Sequence, residues 1–198
     1  MTKTPRAILI CCEGKTEQTY FDILIRLLRI SAVTNIKVQK VVQQHKKLVD
    51  RCVKERVKLA EYYGDGFETT DIETWAVCDN DEMTLSYPEL TEYAKTHHVL
   101  LGFSQPQFES YLLQHFEPAK DTKVDVIIAK LAKHGSRYGL AGVYNKTDLK
   151  WLEEAIFNDP EGLIKNAVVN SNQRDNHTKS PFLTVQKLTK RLKDLELK

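Results

Sequence analysis

Over residues 7–103 the chain alternates short apolar runs with longer amphipathic segments. Ala7–Cys12 is a continuous apolar run of strand length, typical of a strand buried on both faces of a parallel sheet. Residues 16–30 carry large apolar side chains at helical spacing and predict an amphipathic helix, with Thr16 as its N-cap. The same alternation continues with strands near 35–42, 74–78 and 99–103 and helices near 45–63 and 87–96. It predicts an α/β fold with a mostly parallel sheet flanked by helices.

After Pro106 the pattern becomes helical. Segments with helical spacing lie near 107–115, 124–134, 149–157, 161–169 and 183–195, separated by glycines and prolines. We therefore expect an α/β core over residues 1–120 and a helical extension over residues 121–198, packed together as a single compact unit. With 198 residues, 41% of them hydrophobic, the chain can bury such a core without disulfides or a structural metal.

The cysteines and the apolar segments predict a cytoplasmic protein. Cys11, Cys12, Cys52 and Cys78 show no CxxC spacing, so neither a zinc site nor a disulfide framework is expected. Three of them lie in or beside apolar runs, where cysteine usually serves as a small buried hydrophobe. No segment has the pattern of a signal peptide or the length of a membrane span.

Acidic residues begin where two of the predicted strands end. Glu13 follows the first strand, and Asp79 and Asp81 follow the third. Ligands of open parallel sheets bind beyond the carboxyl ends of the strands, and Glu17 is four residues from Glu13, near enough to face the same crevice. Four converging carboxylates repel one another unless a cation neutralises them. This placement predicts a Mg²⁺ or Mn²⁺ site.

Two alternatives apply to these motifs. Taken alone, Asp79-Asn80-Asp81 is more often a turn than a metal site, and only its placement together with Glu13 favours the metal. Gly14-Lys15-Thr16 is similar to the end of a phosphate-binding P-loop. That motif needs another glycine at residue 9, which is Leu9, so ATP binding by this route is not expected.

Three motifs together resemble the RloB-like family, small proteins of prokaryotic anti-phage loci whose core is similar to a Toprim domain. They are Glu-Gly-Lys-Thr-Glu at 13–17, Asp-Asn-Asp at 79–81 after a strand with a Trp, and the segment 104–116. In the last of these the chain has Gln105 and Tyr111 where the family pattern has Asn and Trp. Tyr144-Asn145-Lys146 and the segment after Ser180-Pro181 are similar to further parts of the family pattern.

The resemblance extends to the overcoming-lysogenization-defect nucleases, which share the two acidic motifs. It implies a Toprim-type nuclease that hydrolyses phosphodiesters of DNA, RNA or a signalling oligonucleotide in anti-phage defence by abortive infection. A topoisomerase would need a DNA gate, for which 198 residues leave no room. The alternative is a non-catalytic sensor or partner module of a defence complex that contains an ATPase. Self-association into a homo-oligomer is compatible with either role, and no membrane partner is expected.

The expected metal ligands are the four strand-end acids Glu13, Glu17, Asp79 and Asp81. They would hold one or two Mg²⁺ or Mn²⁺ ions, which stabilise both oxygens of an in-line displacement. Glu13 has a second expected role, as the general acid or base toward the attacking water or the leaving oxygen.

Three further residues complete the expected catalytic set, each with a structural alternative. Glu109 adds or orients a metal ligand, or is a first-turn acid that favours the helix dipole. Lys146 stabilises the charge of the phosphoryl group, or is an ordinary surface lysine. His115 takes part in catalysis, or is a buried histidine with a structural hydrogen bond.

The net charge of +2, from 29 basic and 27 acidic residues, conceals a basic segment. From Lys37 to Lys58 there are eight basic residues and two acidic ones. Such a segment is typical either of a face that tracks phosphates or of a solvated helix. Apolar residues at 48, 52, 53, 57 and 59 indicate that one side of this helix packs inward.

Overall fold

The computed structural model describes residues 6–80 and 85–196. Within them the chain forms five strands, β1 (Ala7–Cys12), β2 (Asn35–Lys40), β3 (Ile72–Asp79), β4 (Leu100–Gln105) and β5 (Phe182–Leu183). The α-helices of the same residues are α1 (Lys15–Leu27), α2 (His45–Tyr63), α3 (Tyr87–Thr96), α4 (Glu109–Leu113), α5 (Val124–Gly135), α6 (Lys150–Asn158), α7 (Pro160–Asn172) and α8 (Val185–Lys193).

The strands form one sheet in the order β2-β1-β3-β4-β5. β1 pairs in parallel with both β2 and β3, whereas β5 pairs antiparallel with β4. All six residues of β1 are fully buried, as the continuous apolar run predicts for a strand covered on both faces. The predicted α/β fold with a mostly parallel sheet and flanking helices is thus confirmed.

The described residues divide into two compact units. The first contains residues 6–78, 85–101 and 192–196, and therefore β1, β2, α1 to α3 and all of β3 except Asp79. The second contains residues 79–80 and 102–191, and therefore α4 to α7, β5 and most of β4 and α8.

In the first unit the two longest helices bury one face each. α1 buries Tyr20, Phe21 and Leu24, which repeat at helical spacing. α2 buries apolar residues at 48, 49, 52 and 59. The prediction that Val53 and Val57 also pack inward is wrong, since Val53 is half-buried and Val57 is 42% exposed. Val57 lies nine residues from Leu48, which is two and a half helical turns and thus the opposite face.

The ends of several elements differ from prediction. The N-cap of α1 is Gly14, and Thr16 lies inside the helix, so the prediction of a Thr16 cap is wrong. α4 is shorter than the predicted helix at 107–115. The two-residue strand β5 replaces the start of the predicted helix at 183–195. The four cysteines are buried, as predicted, and their thiols are free.

In the second unit α4 is buried along its whole length. The hydroxyl of Tyr111, which is itself fully buried, donates a hydrogen bond to Thr189 Oγ1 on α8. Thr184, just before α8, accepts at its Oγ1 from the backbone N–H of Phe103 on β4 at 2.9 Å. Among the residues that the structure describes, no helix is long and apolar enough to cross a membrane.

Candidate active site

The first candidate group lies where β1 and β3 end. In the parallel ladder Cys12 is opposite Val77, and the backbone N–H of Glu13 donates to the Val77 carbonyl at 2.9 Å, which continues the pairing past the last residue of β1. Asp79 is the last residue of β3. Because β1 and β3 are parallel neighbours, their carboxyl ends lie at the same edge of the sheet. Asp81 lies outside the described residues.

Glu17 lies just after the turn that connects β1 with α1. It is in the first turn of α1 and only 5% exposed. Its carboxylate lies over Gly14, so that a Cβ placed at residue 14 would be 3.2 Å from Glu17 Cδ and closer still to one carboxylate oxygen. Gly14 has a φ of −112°, which any residue adopts, so its role here is to leave space.

The end of β1 and the Glu17 carboxylate are largely withdrawn from water. Burial, and next the charge of Glu17, raise the pKa of the Cys12 thiol well above its ordinary value. Glu13 Oε2 is also shielded from solvent. Two carboxylates that flank one glycine and have lost much of their hydration are stabilised by a nearby cation.

The donor set matches a hard divalent cation, because Mg²⁺ and Mn²⁺ prefer carboxylate oxygens. In residues 6–80 and 85–196, however, no group of three His, Cys, Asp or Glu side chains converges closely enough to hold a metal ion. The ligand set predicted from the sequence includes Asp81, which is not in that range.

A second group of predicted residues comes together within the second unit. Glu109, at the start of α4, is 2% exposed. The hydroxyl of Tyr144 donates to Glu109 Oε1 at 3.3 Å, and Lys146 Nζ lies 3.8 Å from the same oxygen. The Lys146 side chain is 60% exposed, so its ammonium group lies near Glu109 and is also accessible to solvent. The sequence did not mark Tyr144 as a site residue, although it belongs to the Tyr-x-Lys segment.

His115 lies in a different environment. It is fully buried, its Nδ1–H donates to the Leu112 carbonyl at 3.0 Å, and its ring contacts those of Tyr111 and Phe116. Burial lowers the pKa of His115 to about 4, so the imidazole is neutral at pH 7. These contacts favour the structural role of His115 over the catalytic one.

A family model described as RloB-like protein matches residues 8–192, which include every residue of both groups. No curated protein and no solved structure matches the chain.

Proposed function

The chain belongs to the RloB-like family, and from this premise we propose that it is a metal-dependent phosphodiesterase that cleaves nucleic acid in anti-phage defence. The parallel pairing of β1 with β3 supports this proposal most strongly. It brings the carboxyl ends of two neighbouring strands to one edge of the sheet, and an acidic residue stands at each of them, Glu13 and Asp79. A third acid, Glu17, is buried and follows Glu13 within one helical turn.

The metal of this proposal is Mg²⁺ or Mn²⁺, held by Glu13, Glu17, Asp79 and Asp81. When bound, the ion supplies positive charge for the attacking and leaving oxygens of the phosphodiester. The low exposure of Glu17 and of Glu13 Oε2 suits this role, because carboxylates already withdrawn from water lose little hydration when they bind an ion.

The chain's own side chains supply the remaining chemistry. Glu13, at the rim of the sheet and half-buried, accepts the proton of the attacking water or returns one to the leaving oxygen. Lys146 offers a fixed positive charge to the non-bridging oxygens of the phosphate. Glu109 and Tyr144 are positioning residues, since Glu109 lies 3.8 Å from the ammonium of Lys146 and Tyr144 donates to Glu109.

A cleavage panel tests the proposal. The purified chain is incubated with single-stranded DNA, duplex DNA, tRNA and cyclic oligonucleotides in Mg²⁺, in Mn²⁺ and in EDTA. We expect cleavage of at least one substrate that EDTA abolishes and that Asp79→Asn lowers by at least about 100-fold. Asp65→Asn, which makes the same change at an exposed loop residue, serves as the matched control and retains activity.

The second candidate function is a non-catalytic module of a complex that contains an ATPase. The observation in its favour is that no three ligating side chains converge within residues 6–80 and 85–196. Absence of cleavage of every substrate, both by the chain alone and by the chain together with an ATPase encoded beside it, would replace the nuclease proposal with this one.

A further inference from the structure

A cleft of about 520 Å³ lies beside β2 and α2, wholly within the first unit. One wall is the end of β2 and the loop that follows it, residues 39–43. The other wall is the first half of α2, which contributes Lys47, Asp50, Arg51, Lys54 and Glu55. None of these residues belongs to the strand-end acids Glu13, Glu17 and Asp79 or to the group of Glu109, Tyr144 and Lys146.

The free charge of this cleft is positive. Its lining contains four cationic side chains and two anionic ones, and both carboxylates already have partners within the protein. The Glu55 carboxylate is 6% exposed and receives Arg51 at 2.8 Å and Lys58 at 2.9 Å, while Asp50 accepts from the Tyr93 hydroxyl. Within the described part of the chain, the lysines of the lining, at 40, 47 and 54, form no ion pair.

The basic residues of α2 continue beyond the cleft in a regular row. Lys47, Arg51, Lys54 and Lys58 are spaced by four, three and four residues, and Tyr62 follows after four more. At 3.6 residues per turn these five residues share one face of α2, which we call the α2 stripe. From first to last it extends about 22 Å along the helix at 1.5 Å per residue. The cations end at Lys58, since Glu61 adjoins Tyr62.

Tyr62, the last residue of the α2 stripe, exposes its aromatic ring to solvent. Its side chain is 82% exposed, which is unusual for a large ring. Tyr63 lies edge-on beside it with ring centroids 5.6 Å apart, and Tyr63 in turn packs on Phe67 at 4.5 Å. The Tyr62 ring is thus flanked by an aromatic cluster while most of its surface faces solvent.

We propose that the cleft and the α2 stripe bind the phosphodiester backbone of a single-stranded nucleic acid, with one base stacked on Tyr62. The row of cations from Lys47 to Lys58, about 17 Å long, fits a chain of phosphates better than a single free phosphate. An exposed ring at the end of such a row is the platform on which unpaired bases stack. The carboxylates of an acidic peptide would pair with the cations but would not stack on the Tyr62 ring. The bases of a duplex are already paired and stacked within it, so they are not available to Tyr62.

Only the further step, that the bound strand is the substrate of cleavage, rests on the proposed function. Binding along α2 requires neither the metal nor Glu13, Glu17 or Asp79, so it can be measured in EDTA. Intact binding without metal-dependent cleavage would overturn the nuclease proposal alone. Cleavage of a strand that does not depend on the stripe would overturn this inference alone.

The test is fluorescence anisotropy with labelled single-stranded DNA and RNA of about 12 nucleotides, in EDTA and over a series of salt concentrations. We expect the variant Lys47→Ala/Lys54→Ala to bind at least about tenfold more weakly. Its slope of log affinity against log salt should be shallower by about 1.4, which corresponds to two lost phosphate contacts. The control Lys133→Ala/Lys165→Ala removes the same charge from exposed positions on α5 and α7 and should bind like the unmodified chain. Equal loss in both double variants, or no binding by the unmodified chain at low salt, would overturn the proposal.

Substitutions at Tyr62 distinguish the binding of a single strand from the binding of other anions. Tyr62→Ala should weaken binding by about fivefold or more, and Tyr62→Phe should preserve it, because stacking needs the ring and not the hydroxyl. Since the side chain is 82% exposed, neither change should affect folding, which thermal unfolding checks. Tighter binding of a duplex, tighter binding of a polyglutamate peptide, or indifference to Tyr62→Ala would each contradict the proposal.

Discussion

The carboxylate of Glu17 occupies the space that a side chain at Gly14 would need. Gly14 is the N-cap of α1 in ordinary extended geometry, and Glu17 is in the first helical turn. The position of a buried acid at the end of β1 therefore depends on the absence of one methyl group. A substitution at residue 14 consequently moves this carboxylate without removing it.

We expect Gly14→Ala to lower metal-dependent cleavage by at least about tenfold, because displacement of a catalytic group by about 1 Å can cost 100-fold. The free energy of unfolding should change by less than about 1 kcal/mol, since the backbone at residue 14 suits any residue and the group that must move is the end of a flexible side chain. Steady-state cleavage and urea unfolding measure the two effects. Glu17→Gln is the matched comparison, and full activity of Gly14→Ala beside an inactive Glu17→Gln would contradict this role of the turn.

Glu109 and Lys146 should be energetically coupled, but weakly. Lys146 Nζ is 3.8 Å from Glu109 Oε1 and the lysine side chain is 60% exposed, so solvent screens the pair. A double-mutant cycle of unfolding free energies with Glu109→Gln and Lys146→Met should therefore give a coupling of about 0.5–1 kcal/mol.

Lys146→Met should lower the rate of cleavage more than Tyr144→Phe does, because only the lysine is proposed to contact the phosphate. Equal cleavage rates in Lys146→Met and the unmodified chain would contradict that role.

The burial of His115 predicts a pH dependence of stability. Its pKa is about 4 in the folded chain and about 6.5 when unfolded, so the unfolded chain binds the extra proton first and stability falls as the pH drops from about 6.5 toward 4. Relative to His115→Gln, the unmodified chain should lose about 2 kcal/mol between pH 7 and pH 5. Chemical unfolding at both pH values measures this difference. A difference between the two proteins that does not change with pH would show that folding does not lower the pKa of His115.

Tyr111 offers a test of the packing of α4 on α8. Its hydroxyl donates to Thr189 Oγ1 and both residues are fully buried, so Tyr111→Phe removes one buried hydrogen bond and should cost about 1 kcal/mol of unfolding free energy. Thr189→Val should cost a similar amount, and the double variant should cost less than the sum of the two. Additive losses in this cycle, measured by thermal or urea unfolding, would contradict the contact.

The sequence was most informative where a local pattern decides the structure. The run at Ala7–Cys12 and the amphipathic periods of His45–Tyr63 and Tyr87–Thr96 predict β1, α2 and α3 with the bounds that the structure has. The acids Glu13 and Asp79 could be placed at strand ends for the same reason.

Features that depend on tertiary packing were not predictable. The pairing of Glu109 with Lys146 joins residues 37 positions apart, and no local pattern specifies it. β5 was missed because two residues carry no alternation and owe their strand to pairing with β4. The apolar residues of α2 predicted that one face packs inward, but the prediction counted Val57 among them. Its position along the helix places Val57 on the opposite face.

The central claim is that the strand-end acids bind a divalent cation, and a Mn²⁺ titration by isothermal calorimetry tests it most directly. The unmodified chain, Glu17→Gln, Asp79→Asn and the control Asp65→Asn are titrated under the same conditions. We expect the unmodified chain and Asp65→Asn to bind Mn²⁺ alike, and Glu17→Gln and Asp79→Asn each to bind at least about tenfold more weakly, because each loses a charged ligand. Identical Mn²⁺ binding by all four proteins, or no binding by the unmodified chain, would contradict the claim.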